Sequence, residues 1–264
     1  TSPATVNLGA ANNFTVLAAT TVTNTGPSVI SAAAGLEGDL GVSPGTAVTG
    51  FPPGVVAPGT IRSADTATAT AKTAADTAYT DAEGRAPDLA FGPIHDLGGA
   101  TLAPGVYNDP SSFAITGTLT LDAQGDPDAV FIFQAGSTLV TAVSSNVVLI
   151  NGAQAANVFW QVGSSATLGV NSTFNGTILA HTSITANTSA DIQGRLLAGI
   201  GAVTLDTNTV TAPVAAPSSG VPQAPLFGHL GWTVVIAAFL AGGGVLVLHR
   251  RREPAADRQL AQVR

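Results

Sequence analysis

Residues 175–206 read NGTILAHTSITANTSADIQGRLLAGIGAVTLD, a stretch that repeats itself. Asn175-Gly176-Thr177-Ile178-Leu179-Ala180 returns eighteen residues later as Gln193-Gly194-Arg195-Leu196-Leu197-Ala198. A second short strand follows each copy, at Thr182-Ser183-Ile184-Thr185 and then at Gly201-Ala202-Val203-Thr204. Apolar and small polar residues alternate in these segments, as in a strand with one buried face. A period of about 18–20 residues carrying short strands suits one coil of a β-solenoid. An antiparallel sandwich is the competing architecture.

Outward from this repeat, the same alternation predicts strands at 14–17, 21–24, 115–121, 130–134, 138–141, 147–150, 158–162 and 166–170. Within and beside the repeat it predicts 174–180, 183–187, 192–198 and 202–206. Val130-Phe131-Ile132-Phe133 is a continuous apolar run, which predicts burial on both sides. The repeat fades in the first half, so the solenoid is irregular or interrupted. Residues 62–84, RSADTATATAKTAADTAYTDAEG, explain the interruption. Ala71, Ala74, Ala75, Ala78, Tyr79 and Ala82 recur at spacings of three and four and form one helical stripe. Ser63 or Asp65 can cap the start and Gly84 can close the end in a left-handed conformation. The helix therefore covers about 64–83. Its many threonines lower intrinsic propensity, so it needs packing against a larger surface, and its alanine face permits close approach to a sheet.

Composition narrows the function. Of 264 residues only 9% are charged and 5% aromatic, while Thr occurs 33 times and Lys once. Soluble domains usually carry about 25% charged residues. The net charge is −7 and no basic patch exists to neutralise phosphates, which excludes a nucleic-acid binder. Cys is absent, so there is neither a disulfide framework nor a zinc–thiolate site. A mean hydropathy of +0.36 argues against disorder.

The charge is uneven along the chain. Five of the nine basic residues are Arg250, Arg251, Arg252, Arg258 and Arg264, while residues 1–249 hold four basic and 14 acidic groups. Residues 230–248, LGWTVVIAAFLAGGGVLVL, carry no formal charge. At about 1.5 Å per residue they reach roughly 28 Å, the hydrocarbon thickness of a bilayer. The arginines that follow place that end in the cytoplasm, and Trp232 sits near the outer boundary. The expected organisation is an ectodomain at 1–212, a Pro/Ser/Ala-rich linker at 213–229, a transmembrane helix at 230–248 and a basic cytoplasmic tail at 249–264. Residues 1–229 would lie outside the cell. The lack of any Met, with Thr1 first, suggests an export signal already removed.

Several ordered blocks carry a family resemblance. They are VNLG at 6–9, GDLGVSPGTAVTGFPPG at 38–54, AYTDAEGR at 78–85 and DLGGATLAPGVY at 96–107. TGTLTLDAQGDPDAVFIFQAGSTL follows at 116–139, NVFWQVGSSATLG at 157–169, NGTILAHTSIT at 175–185, and GRLLA and VTLDTNT at 194–209. The set spans about three quarters of the chain and resembles the DUF3494, or ice-binding-like, family, many of whose members are secreted ice-binding proteins. The resemblance implies a discontinuous β-solenoid of triangular cross-section with one long α-helix packed alongside. Members often carry Cys before the NVFWQV block; here Ala156 stands there.

Ice is a flat, neutral, repetitive target. A matching surface avoids charges and presents hydroxyl–methyl side chains with few rotamers. Aligning strands on the inward residues Val22, Leu139, Leu168, Ile184 and Val203 yields outward candidates Thr21, Thr23, Thr138, Thr167, Ser183, Thr185 and Thr204. The resemblance places an ice-binding face on strands at these positions, and Val140 and Asp206 interrupt the pattern. The expected partners are an ice or ordered-water surface and a lipid bilayer through 230–248. A cell-surface adhesion or structural module with no ice affinity, recognising a surface glycan, is the alternative. Asp122, Asp126 and Asp128 lack the spacing of an EF-hand and read as a turn. Asp39 and Asp96 sit in Gly-rich turns and read as backbone caps. His95, His181, His229 and His249 are scattered, and Asp191 and Arg195 are the only charges in 166–201. No catalytic set, metal site or cofactor is implied.

Overall fold

The structure is a computed structural model and describes residues 2–214. Residues 215–264, and with them the expected span at 230–248, lie outside the described residues. Among the described residues no helix is long and apolar enough to cross a membrane.

The chain winds in coils, and each full coil gives one strand to each of three sheets, of nine, eight and eight strands. Every strand pairing is parallel, which excludes the sandwich. The order within the sheets is not the order in the chain. In the first sheet, Phe14–Ala18 lies between Asp39–Val42 of the next coil and Leu196–Ala198 of the last. The first two coils thus build toward one end. The helix Thr66–Glu83 carries the chain to the opposite end, and six further coils return until the last meets the first. Eighteen helical residues extend about 27 Å, and eight coils about 4.8 Å apart stand roughly 34 Å tall. The helix is therefore long enough to bridge most of the stack.

Coil length explains why the repeat fades in the sequence. Ile178 pairs with Leu196, eighteen residues on, whereas Phe133 pairs with Trp160, 27 residues on. The added residues form corner loops that rest on each other: the side chains of Gln154 and Asn157 donate to the carbonyl of Pro127. The runs predicted as single strands at 115–121, 174–180 and 192–198 each turn a corner and serve two sheets. Gly117 (φ +87°) and Gly176 (φ +118°) make two of the turns in backbone regions that L side chains rarely adopt. At the third, a Cβ on Gly194 would lie 1.8 Å from the carbonyl oxygen of Gly176 in the coil below.

The first sheet is buried on both sides. Phe131, Phe133, Trp160, Ile178 and Leu196 face the interior of the coil. Val130, Ile132, Phe159, Leu179 and Leu197 face the helix, where Ala71, Ala75, Ala78 and Ala82 meet them. The run 130–133 is thus doubly buried, as its sequence requires. Inside, Tyr107, Phe133 and Trp160 stack with ring centroids 5.3 Å and 4.0 Å apart, contacts worth about 0.5–1.5 kcal/mol each beyond area burial. Asp65 caps the helix by accepting from the Thr68 amide at 2.7 Å. Gly84 departs from expectation. It is right-handed (φ −79°), with its N–H on the Thr80 carbonyl, so the helix ends without a left-handed residue.

Candidate functional site

The second sheet leaves one face uncovered. It stacks Ala47–Thr49, Thr21–Thr25, Val203–Asp206, Ile184–Ala186, Ala166–Leu168, Leu139–Thr141, Phe113–Ile115 and His95–Asp96. Val22, Val203, Ile184, Ala166, Leu139 and Phe113 are buried and form one inward column. Strand alternation sends the next residue of each outward. Those residues form a register column of Thr49, Thr23, Thr204, Thr185 and Thr167, continued by Val140, Ala114 and Asp96. The residues preceding the inward column form a second outward column: Ala47, Thr21, Ala202, Ser183, Ser165, Thr138 and Ser112. Neighbours within a column are about 4.8 Å apart, and the two columns are roughly 6.7 Å apart.

All seven sequence candidates lie on this sheet face, distributed over the two columns. Thr23, Thr167, Thr185 and Thr204 share the first; Thr21, Thr138 and Ser183 lie in the second. Thr167 changes place relative to the sequence alignment. The residue level with Val22 and Ile184 is Ala166, whereas Leu168 is level with Ala186, two residues further along. Thr167 therefore joins Thr185 and not Ser183.

The columns differ in what their hydroxyls do. Among the described residues, Thr49, Thr23, Thr204, Thr185 and Thr167 have no hydrogen-bond partner for their hydroxyls, and neither does Thr21. In the second column Ser183 Oγ accepts from the Ala202 amide at 3.2 Å and Ser165 Oγ from the Ser183 amide at 3.4 Å. Thr138 Oγ1 and Ser112 Oγ bond each other at 2.8 Å. The second column thus spends oxygens on holding the corner, while the first keeps its oxygens for solvent.

Charge stays at the margins. Asp96 closes the first column, and its Oδ1 accepts from the amides of Gly98 and Thr116, both at 2.9 Å, as a backbone cap should. Burial raises its pKa, but the two amide bonds, together with the Thr116 hydroxyl and the nearby His95, outweigh the burial and hold the carboxyl below the usual range. Asp206 lies beyond the columns, where its carboxylate bonds the hydroxyls of Thr188 and Thr207. The one lysine points away: Lys72 Nζ donates to the carbonyls of Ala198 and Gly199 at 2.8 and 2.6 Å, and desolvation lowers its pKa.

The aspartates and histidines singled out in the sequence, where described, have structural partners of their own. Asp122 Oδ1 accepts from the Gln124 amide and Asp126 Oδ1 from the Asp128 amide, the turn read from the sequence. Asp39 belongs to a strand, where it holds the Thr60 amide at 2.7 Å and pairs with Arg62. His95 stacks on Phe91 and His181 meets the ring of Tyr79; His229 and His249 lie outside the described residues. Among the described residues no three His, Asp or Glu groups converge to hold a metal ion.

Sequence reasoning missed Thr49, Ser165 and Ser112. Thr49 belongs to a three-residue strand between Gly45 and Gly50, too short to show alternation. Its signal was the AVT triplet, which matches Ala202-Val203-Thr204. Ser165 and Ser112 stand at corners, one residue before their strands begin.

A sequence model of the family described as Ice-binding-like matches residues 16–211. The chain is 53% identical over 205 residues to an ice-binding protein of Nostoc sp. (strain HG1), covering 77% of this chain and 73% of that one. It is 38% identical over 220 residues to an ice-binding protein of Flavobacterium frigoris (strain PS1), covering 79% and 76%. Among solved structures, an ice-binding protein from an Antarctic biological consortium superposes with a TM-score of 0.75 at 46% identity, over 80% of this chain and 92% of that one. One from the Antarctic ascomycete Antarctomyces psychrotrophicus gives 0.75 at 42%, over 81% and all of that chain.

Proposed function

The chain belongs to the ice-binding-like family, and from that premise we propose that it adsorbs to ice through the threonine column and its neighbour. The observation that carries the proposal is the run of five successive threonines whose hydroxyls have no partner among the described residues, on a strip whose one charge among those residues is Asp96 at its end. Each threonine offers a methyl that orders adjacent water and a hydroxyl that bonds the ordered layer. Its branched Cβ restricts the side chain, so docking forfeits little entropy. The spacings of about 4.8 Å and roughly 6.7 Å approximate repeats in the ice lattice. Aromatic stacking in the interior keeps the strip stiff. Adsorbed molecules force the ice front to bulge between them, and that curvature opposes growth and recrystallisation.

We further propose that residues 230–248, followed by Arg250, Arg251 and Arg252, anchor the protein in a membrane as a single span. The ice face then lies outside the cell and the tail inside. An anchored ice binder holds its cell at an ice surface or shapes the ice beside it.

Fluorescently labelled full-length protein in nanodiscs, placed beside a growing ice hemisphere, tests the first proposal. Labelled protein should enter the ice while empty labelled nanodiscs are excluded. Exclusion of folded protein overturns it, and a glycan-array hit accompanying that exclusion would favour the adhesion module. Extraction of the protein from cell membranes by alkaline carbonate overturns the anchor.

A further inference from the structure

Arg195 is the one fully buried arginine among the described residues, 2% exposed, and it has no carboxylate partner there. Its Nε and Nη2 donate to the Asn12 carbonyl at 3.2 and 3.1 Å, and Nη2 also donates to the Pro213 carbonyl at 3.2 Å. Nη1 has no hydrogen-bond partner among the described residues. A buried cation held only by neutral carbonyls is costly, because an opposite charge ordinarily accompanies it. Desolvation, with no acidic neighbour to oppose it, lowers the pKa of this guanidinium to about 10.

The guanidinium lines a cleft of about 400 Å³, within the size range of small-molecule sites. Val6, Leu8, Leu36, Ala156 and Phe159 supply its apolar wall. Lattice recognition on the other sheet does not need this guanidinium.

We infer that this cleft binds a small monocarboxylate with a short apolar body, its carboxylate on the Arg195 guanidinium and its body against Phe159 and Leu8. With Nε and Nη2 taken by the Asn12 and Pro213 carbonyls, Nη1 offers its two N–H groups to a carboxylate oxygen, and the anion supplies the counter-charge that an alcohol or an amine does not. The apolar wall favours an acid with a hydrocarbon tail over a bare oxyanion. Arg195 itself bridges the N-terminal segment, through the Asn12 carbonyl, to the end of the last coil, through the Pro213 carbonyl, and a bound anion steadies that bridge. Its binding therefore stabilises the closure of the stack.

Thermal melting of the full-length protein in nanodiscs tests the inference, with hexanoate, acetate, hexanol and inorganic phosphate as probes. Hexanoate should raise Tm saturably by several degrees, acetate less, and hexanol and phosphate not at all. Arg195→Met should abolish the response. Because that variant can fail to fold, Ala156→Phe, which fills the cleft and leaves the guanidinium in place, should abolish it as well. No saturable response to hexanoate, an equal response to hexanol or phosphate, or an undiminished response in folded Ala156→Phe overturns the site. None of these results bears on ice adsorption, which uses another sheet.

Discussion

The second and third sheets are made by the same coils, with the same spacing, and both turn one face outward. On the second, the outward columns are Thr, Ser and Ala over most of their length. On the third, the corresponding column reads Thr118, Asn146, Thr173, Asp191, Thr209, Val29 and Val55. It therefore carries a carboxylate, an amide and two valines 41% and 51% exposed. Ser31 and Thr211 in the adjoining column bond each other at 2.9 Å. A parallel stack supplies a regular lattice on every side. What separates the two faces is which side chains the lattice carries: an unbroken run of threonines on one, and threonines interrupted by Asn146, Asp191 and two valines on the other.

The sharpest way to break this comparison is to add bulk to each face in turn. Thr204→Tyr should reduce recrystallisation inhibition about tenfold or more, equal to losing at least ~1.4 kcal/mol of adsorption free energy. Thr173→Tyr on the third sheet should leave inhibition unchanged, and neither change should alter the melting temperature. Equal losses would mean that ice does not distinguish the faces. Removing the shared support should instead affect both. Phe133→Ala empties the space between Tyr107 and Trp160 and should cost about 3–5 kcal/mol in denaturant unfolding. A cost below about 1 kcal/mol would show that the aromatic stack is not what stiffens the coils.

Smaller effects sharpen the comparison. Val140→Thr extends the free-hydroxyl run from five strands to six and should raise inhibition about twofold, with stability changed by less than about 0.5 kcal/mol. A fall in activity would show that the exposed valine itself contacts ice. Protonation should separate stability from function. Hydrogen bonding to Arg85 lowers the pKa of Asp81, and the two amides lower that of Asp96. A carboxyl depressed in the folded state contributes stability above its unfolded pKa, and that contribution fades as pH falls through the folded value. Melting temperature should therefore decline below about pH 4, while adsorption at constant salt stays flat between about pH 5 and 9. A steep change in adsorption across that range would place a titrating group on the face.

The sequence showed the elements whose pattern is local. The alanine stripe, the doubly apolar 130–133 run and the eighteen-residue repeat can each be read within one window, and each is in the structure. What escaped depends on contacts between distant segments. Gly117, Gly176 and Gly194 turn the chain within runs whose alternation continues unbroken, so one apparent strand serves two sheets. Strands such as Val29–Ala32 and Asp39–Val42 lie in coils about 25 residues long, where corner loops hide the period. The candidate face was legible as residue types. Its register was not, because Leu168 and Ala166 are both inward and only pairing with the neighbouring coil shows which is level with Ile184. Arg195 stood out as a lone charge in a neutral stretch, but its burial beside a cleft arises from the first and last coils meeting.

That meeting has a consequence for synthesis. The step from Thr23 to Thr204 is made between the second strand of the chain and one of its last. A nascent chain halted after residue 195 would hold a two-rung piece, Thr49 and Thr23, and another, Thr185 and Thr167, with the rung between them missing. Translation must reach the final winding before an uninterrupted row of threonines exists.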